Sequence, residues 1–288
     1  MKQKKRKDCW YLLSLLLLTI AIAASCGGGG GGGGGTTYTV GGTVNGLSGI
    51  VVLQNNGGDD LTITANGSFT FAIPIANGSS YNVMVKTQPS GQTCSAANST
   101  GTVSGANVTN VIVACTDSDI SMITPYKNSF DMSSINEAFS STASAPWGFV
   151  HDGIDFSPNG NLKPFQAVSS GVVEVVMLMQ NNISSNWQVN VRIKYNSTYS
   201  VEYAFEPFSA AQSDGNTQLA NILVSVGQNV AQGDVIGNLY TVGSGAHVHF
   251  GLYKSGAAIC PEPYFTPEAR TSILNLLYVV WPNANMCY

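Results

Sequence analysis

The chain has 288 residues, which is enough for two modest domains with a hydrophobic core each. Its formal net charge is −4, but five of its 12 basic residues and one of its 16 acidic residues precede position 26. The rest therefore has 7 basic and 15 acidic residues, a formal charge of −8. This balance argues against nucleic acid as a partner, because phosphate binding needs clustered lysine and arginine.

Residues 1–25 have the layout of a secretory signal peptide, with a basic start and an apolar run over 11–24. That run is shorter than the roughly 20 residues that span a bilayer, which disfavours a membrane-spanning anchor. The segment 23–26 resembles a bacterial lipobox, which implies lipidation of Cys26 and a membrane-anchored lipoprotein of the cell envelope. Gly27 after the cysteine favours the outer membrane, facing the periplasm or the cell surface. A plain secretory signal with an incidental cysteine is the alternative.

Residues 26–37 are predicted to form a linker, because nine consecutive glycines at 27–35 cannot pack side chains. Short alternating segments over 38–117 predict a small antiparallel β-sandwich, and this region resembles the Ig-like modules of bacterial lipoproteins. Asn66-Gly67 lies between two alternating segments and predicts a hairpin there. The region lacks histidine, so we expect a spacer or adhesive module.

Four cysteines follow Cys26, namely Cys94, Cys115, Cys260 and Cys287, and they allow three pairings. Pairing of Cys94 with Cys115 and of Cys260 with Cys287 keeps each bridge within one predicted domain. Disulfides also agree with export to an oxidising compartment. A zinc site made by these cysteines is the weaker alternative, because no two of them have C-x-x-C spacing.

Residues 118–148 are predicted to form a connector with little periodicity and the start of the second domain. Short strands return over 149–265, with candidates at 171–179, 189–193, 200–205, 223–226, 234–239 and 247–253. In the C-terminal segment 266–288, Thr266 is a candidate N-cap and Pro267 suits the first helical position. A short apolar helix over 273–279 is expected to pack on the sheet. The predicted fold class is all-β, with this single helix.

All three histidines lie in two short motifs, His151-Asp-Gly-Ile-Asp155 and His247-Val-His249. In a strand, His247 and His249 project from the same face. Imidazole and carboxylate groups are good zinc ligands, and three of them plus a water form an open catalytic site. Either motif alone would be weak evidence for a metal, since exposed histidines commonly bind nothing.

The sequence around these motifs resembles that of the lysostaphin-type (LytM-like) zinc metallopeptidases over residues 149–265. The matching segments follow one another in family order at 151–156, 165–173, 226–237, 243–250 and 261–264. The resemblance implies an antiparallel β-sheet core, Zn²⁺ held by His151, Asp155 and His249, and His247 as a catalytic histidine. It also implies peptidoglycan cross-link peptides as substrate. The glycine pattern at 227–233 is similar to biotinyl and lipoyl carriers, but no lysine lies between Lys194 and Lys254 to carry the cofactor.

The chain departs from that family on one strand. The family has a second catalytic histidine in a Tyr-x-His pattern, and here Tyr203-Ala204-Phe205 aligns with it. Phenylalanine cannot transfer a proton, and loss of one preorganised donor typically lowers turnover about 10²- to 10³-fold. Tyr203 and Glu206 are expected to be structural or solvent-facing, although either could compensate in part.

Three functions remain open at this point. The first is a zinc endopeptidase of the cell envelope, which the retained ligands favour. The second is a catalytically impaired lipoprotein that binds peptidoglycan or activates another hydrolase, which Phe205 favours. The third is a surface adhesion protein in which the second domain is only structural. The sequence gives no prediction of the oligomeric state.

Overall fold

The computed structural model describes residues 35–288. The predicted signal peptide, the lipidation site Cys26 and most of the glycine linker lie outside these residues. Among the described helices, none is both long enough and apolar enough to cross a membrane.

The first module is built from short strands in which alternate residues are buried. In the strand Ser80–Thr87, for example, Tyr81 and Val83 face inward while Asn82 and Met84 are exposed. The strands of this module are β1 (Thr37–Tyr38), β2 (Val40–Asn45), β3 (Val51–Asn55), β4 (Asp59–Ile63), β5 (Gly67–Thr70), β6 (Ile75–Ala76), β7 (Ser80–Thr87), β8 (Gln92–Ala97), β9 (Thr100–Thr102) and β10 (Val108–Asp117).

Two four-stranded sheets, in the orders β5-β2-β10-β8 and β4-β3-β7-β9, enclose the core of the first module, and β1 pairs with β6 beside them. Val113 of one sheet and Leu53 of the other belong to the same buried cluster. The pairs are antiparallel except that β10 runs parallel to β2, which departs from the fully antiparallel sandwich that was expected. Cys94 and Cys115 lie opposite each other on β8 and β10 and form a disulfide.

The predicted hairpin at Asn66-Gly67 is wrong. β4 pairs with β3 and β5 pairs with β2, so this turn passes the chain from one sheet to the other. The Asn66 side chain accepts a hydrogen bond from the Leu47 N–H and donates one to the Leu47 carbonyl. These contacts hold the turn at the end of β2, where a two-residue hairpin would have paired β4 with β5.

The second module contains the remaining strands of the described residues and their two α-helices. They are β11 (Met132–Ile135), β12 (Ile154–Pro158), β13 (Lys163–Gln166), β14 (Gly171–Gln180), β15 (Trp187–Lys194), β16 (Tyr199–Glu206), α1 (Gln212–Ala220), β17 (Asn229–Val230), β18 (Val235–Leu239), β19 (His247–Lys254), β20 (Ala257–Ile259) and α2 (Pro267–Val280). Short 3₁₀ turns lie at Ser129–Asp131 and Glu262–Tyr264.

Its main sheet is antiparallel in the order β11-β12-β19-β16-β15-β14-β17, with β20 beside β19. A separate pair, β13-β18, packs its Phe165 against Phe205 of β16. The connector 118–148 contributes β11 and the buried residues Met122 and Tyr126 to this module. The predicted all-β fold is therefore confirmed, with the second module beginning inside the connector.

Two local predictions need correction. Helix α1 was not expected, because its sequence QSDGNTQLA has no apolar period and its N-cap residue Ala211 provides no side-chain cap. It packs through Gly215, where an added Cβ would lie 2.7 Å from Trp187. The strand expected at 223–226 is absent from the described strands, where only Ile222 bridges to Gly237. By contrast, Thr266 caps α2 as expected by accepting a hydrogen bond from the Ala269 N–H.

The two modules meet at the turn between β15 and β16. The Asn196 side chain donates hydrogen bonds to the carbonyls of Gly91 (2.8 Å) and Ser118 (2.9 Å). Thr198 Oγ1 donates to the Asp117 carboxylate at 2.7 Å. Gly91 has a φ of +69°, and a Cβ there would lie 2.8 Å from the Tyr195 carbonyl oxygen. The first module is thus hydrogen-bonded directly to the main sheet of the second.

Candidate metal centre

Strand pairing brings the two histidine motifs together. Asp155 of β12 lies opposite His249 of β19, so their side chains project from the same face of the sheet. Their neighbours Ile154, Phe156 and Val248 point into the core. His151 precedes β12 and is held by two backbone hydrogen bonds with Ser140, of 2.7 and 2.9 Å. Both motifs therefore converge on one polar face above an apolar core.

The ligand atoms of His151, Asp155 and His249 all lie within 4.8 Å of one another. Asp155 Oδ1 is 3.3 Å from His151 Nε2 and 2.8 Å from His249 Nδ1. Tetrahedral zinc with ligands at about 2.0–2.1 Å needs donor atoms roughly 3.3 Å apart. Two imidazole nitrogens and one carboxylate oxygen at this spacing fit a zinc ion.

Hydrogen bonds on the far side of each ring orient the histidines. His151 Nδ1 donates to the Ala138 carbonyl at 3.1 Å, which leaves Nε2 free to bind a metal. His249 Nε2 lies 3.3 Å from Asp152 Oδ1, which leaves Nδ1 facing Asp155. A carboxylate that accepts a hydrogen bond from a ligating histidine fixes its tautomer and raises its basicity. Asp152 has this position, and sequence reasoning gave it no role.

Gly153 is required by the close approach of β12 to β19. A Cβ at this position would lie 2.5 Å from the Phe250 carbonyl oxygen and 2.6 Å from His249 Nε2. Its side chain would displace the imidazole, so the close packing of β12 against β19 at the site depends on this glycine.

His247 lies next to the ligand cluster and has a fixed tautomer. Its Nδ1 donates to the Gly245 carbonyl at 2.8 Å, because a carbonyl oxygen can only accept. The Nε2 lone pair of the neutral ring therefore points to the site, 3.6 Å from Asp155 Oδ2. A group oriented in this way can accept a proton.

The strand that carries the family's second histidine shows an unexpected arrangement. Phe205 is fully buried, and its ring centroid is 5.7 Å from that of Phe165 in the core. Tyr203 is structural as expected, since its hydroxyl accepts from the Val168 N–H and donates to the Gln166 carbonyl. Glu206 lies opposite His247, is only 8% exposed, and places Oε1 3.8 Å from His247 Nε2. Glu206 therefore does not face solvent, which was one of the two expectations for it.

The carboxylates and histidines of the metal-free site shift one another's pKa values. Burial alone would raise the pKa of Asp155, but hydrogen bonds from His151 and His249 hold it well below its usual range. Burial would lower the pKa of His249, but Asp152 and Asp155 raise it to about 10. Burial, and then the charge of Asp155, raises the pKa of Glu137, whose carbonyl accepts a hydrogen bond from the Asp155 N–H. Carboxylate and imidazole groups held this close together provide a donor set that suits a bound zinc ion.

The structure thus brings together all four residues singled out by the sequence, His151, Asp155, His247 and His249. It adds Asp152, Glu137 and Glu206, which the sequence did not assign. Strand alternation from His247 through the β16–β19 register could have revealed Glu206, whereas Glu137 lies in a segment with no readable period. The Cys260–Cys287 disulfide ties the segment after β20 to the C-terminal tail and leaves no thiolate there for a metal.

Known proteins resemble the second module. The model of peptidase family M23 matches residues 149–261. No curated protein sequence matches the chain.

Three similar solved structures illustrate the range of these likenesses. The SpoIIQ–SpoIIIAH pore forming complex matches at 24% identity over 55% of this chain and 98% of that one, with a TM-score of 0.38. A catalytic-domain mutant of the prophage-encoded M23 protein EnpA from Enterococcus faecalis matches at 20% identity over 49% of this chain and 97% of that one, with a TM-score of 0.36. Lysostaphin, an antimicrobial peptidase from Staphylococcus simulans, matches at 17% identity over 58% of each chain, with a TM-score of 0.35.

Proposed function

We propose, from the match of residues 149–261 to the model of peptidase family M23, that this protein is a zinc metalloendopeptidase of the cell envelope that cleaves peptidoglycan cross-link peptides. The observation that carries the proposal is the convergence of His151, Asp155 and His249 on one point of the sheet face. These residues would hold the zinc ion.

When bound, zinc acidifies a water to a pKa of about 7 and polarises a substrate carbonyl. The residues of the chain do the rest. His247 directs its Nε2 to the site and accepts the proton of the attacking water. Asp155 Oδ2, 3.6 Å from that nitrogen, stabilises the positive charge that the ring then carries. Asp152 keeps His249 in the tautomer that binds metal.

Location in the cell envelope is part of the same proposal. It is supported by the signal-like residues 1–25, by the lipobox resemblance at Cys26 and by two disulfides, which persist in oxidising compartments. The proposed anchor is a lipid on Cys26 in the outer membrane, with the wall peptides as the partner that the site acts on.

A non-catalytic role is the second candidate, because Phe205 replaces the family's second catalytic histidine and is buried in the core. In that case the same face would bind wall peptide, or activate another hydrolase, without cleaving the peptide itself. The retained ligand set favours the enzyme.

The test uses the full chain, purified in detergent and loaded with zinc, on purified peptidoglycan, with new amino termini counted by mass spectrometry. We expect one zinc per chain, its loss in His249→Ala, and cleavage that disappears in His247→Ala while zinc remains. Peptidoglycan that the wild type binds but does not cut would support the second candidate. Absence of bound zinc would refute both the metal site and the peptidase.

A further inference from the structure

Glu206 is the side chain on β16 that reaches the site. Its backbone pairs with His247, and its carboxylate oxygen lies 3.8 Å from His247 Nε2. Among residues 35–288 no side chain donates a hydrogen bond to this carboxylate, although the residue is only 8% exposed. A buried carboxylate that is not engaged in structure is costly, and such groups concentrate at functional sites.

The neighbouring position cannot serve the site. Phe205 lies opposite Val248, which is fully buried, and its ring lies so close to Gly237 that a Cβ there would approach it to 3.2 Å. Successive residues of a strand point to opposite faces, so a residue at 205 faces the core and a residue at 206 faces the metal centre. A sequence alignment matches Phe205 to the missing histidine, but the register of the sheet gives that place to Glu206.

We propose that Glu206 is the second proton-transferring group of this site and acts in place of the histidine that the chain lacks. The proposal rests on the proposed peptidase function. His247 removes a proton from the attacking water as its oxygen bonds to the carbonyl carbon. The Glu206 carboxyl then gives its proton to the leaving nitrogen as the C–N bond breaks. His247 returns its proton to Glu206 through solvent, so the sum is peptide plus water to acid plus amine.

The charges around Glu206 agree with this role. The ionisable groups that face it are His247 and His249 from β19, Asp155 from β12 and His151 before β12. Burial raises the pKa of Glu206; His247 opposes this shift, and Asp155 adds to it. A carboxyl group whose pKa is raised retains its proton closer to neutral pH, where a general acid is most effective.

The decisive comparison is between substitutions on the same strand, made in the full zinc-loaded chain. Glu206→Gln keeps the size of the side chain but cannot transfer a proton, and we expect kcat to fall about 10²- to 10³-fold with little change in KM. Glu202→Gln is the matched control, because Glu202 pairs with Arg192 at 2.6 Å and lies opposite Gly251. We expect kcat of this control to stay within about threefold of the wild type, because the Glu202 carboxylate is engaged by Asn190 and Arg192 and not by the groups of the site.

Histidine substitutions at two adjacent positions separate the structural register from the sequence alignment. Glu206→His should retain activity within about tenfold of the wild type, because imidazole transfers protons well. Phe205→His should leave kcat unchanged and lower the melting temperature, because it buries an unpaired imidazole against Phe165. A rise in kcat in Phe205→His would overturn the proposal and restore the alignment.

A readout independent of turnover is the proton balance of binding an alanyl-glycine phosphinic peptide, measured by calorimetry in buffers of different ionisation enthalpy. We expect the wild type to take up more protons than Glu206→Gln, by up to one per site, while both bind the same amount of zinc. Equal proton uptake and equal kcat in the wild type and Glu206→Gln would overturn the role of Glu206 and leave the peptidase intact. A zinc-loaded wild type that cuts nothing would instead refute the proposed function.

Discussion

The two modules of this protein are both built from strands around an apolar core, but they differ in the polar side chains that they bury. In the first module, the buried polar residues Asn55 and Gln92 are hydrogen-bonded and uncharged. In the second, buried Asp155 and Glu206 lie among three histidines. Both modules have apolar cores, so the second does not need these charges in order to fold. Charge retained in a buried position at this cost indicates that the function lies in the second module.

The largest effect is expected at Asp155, which tests the charged side of this contrast. Asp155→Ala removes one proposed ligand and leaves His151 and His249 facing each other, with ring centroids 4.9 Å apart. We expect loss of stoichiometric zinc and of at least about 10³-fold in peptidase activity, since a metal-dependent step cannot proceed without its ion. Metal analysis and the cleavage assay measure both. Retention of zinc would place the metal elsewhere.

The next effect concerns the core of the first module. Leu53 is fully buried between the two sheets, and Leu53→Ala leaves a cavity that should cost about 2–5 kcal/mol of unfolding free energy. Denaturant unfolding measures the loss, and kcat at a temperature where the protein stays folded should be unchanged. A large fall in kcat would show that the first module supports the site.

Metal-free protein should show a pH dependence that comes from the second module. The pKa of His249 is raised to about 10, above its unfolded value of about 6.5. The stability this provides is fully present below about pH 6.5 and is lost as pH rises through about 10. Urea titrations of chelator-treated protein across this range measure it. Zinc-loaded protein should lack this slope, because the metal holds the imidazole neutral; an equal slope in both forms would contradict the assignment.

The smallest effect is expected at the junction between the modules. Gly91→Ala introduces a Cβ at a φ of +69°, within 2.8 Å of the Tyr195 carbonyl oxygen. We expect the free energy of unfolding to fall by about 1–3 kcal/mol, because the backbone is strained and the Asn196 hydrogen bonds are weakened. Gly57→Ala is the matched control, because Gly57 has a similar φ of +74° but no atom lies within 4 Å of the added Cβ. Calorimetry checks the coupling of the modules: two separate unfolding transitions in Gly91→Ala would show that the intact junction couples them. A single transition unchanged from the wild type would show that the backbone accommodates the methyl group.

Part of the fold and of the candidate site could be predicted from the sequence, because these features depend on residues that are close together in the chain. The His-x-His spacing on a strand and the cap at Thr266 are both local signals, and the structure contains both features. The hairpin predicted at Asn66 was wrong because the partner of this side chain, Leu47, is 19 residues away. Helix α1 was not predicted because it packs through a glycine and has no apolar stripe. Glu206 was not assigned to the site because an alignment counts residues along the chain, whereas the face that a strand residue occupies depends on register.

The hydrogen bonds of Asn196 and Thr198 have a consequence for reach. If a flexible hinge joined the two modules, the position of the metal centre relative to the first module would vary with the length of that hinge. Here the two modules are joined directly, because the turn after β15 is hydrogen-bonded to Gly91 and Asp117 of the first module. The position of the metal centre relative to the start of β1 is therefore set by the fold and not by a hinge between the modules.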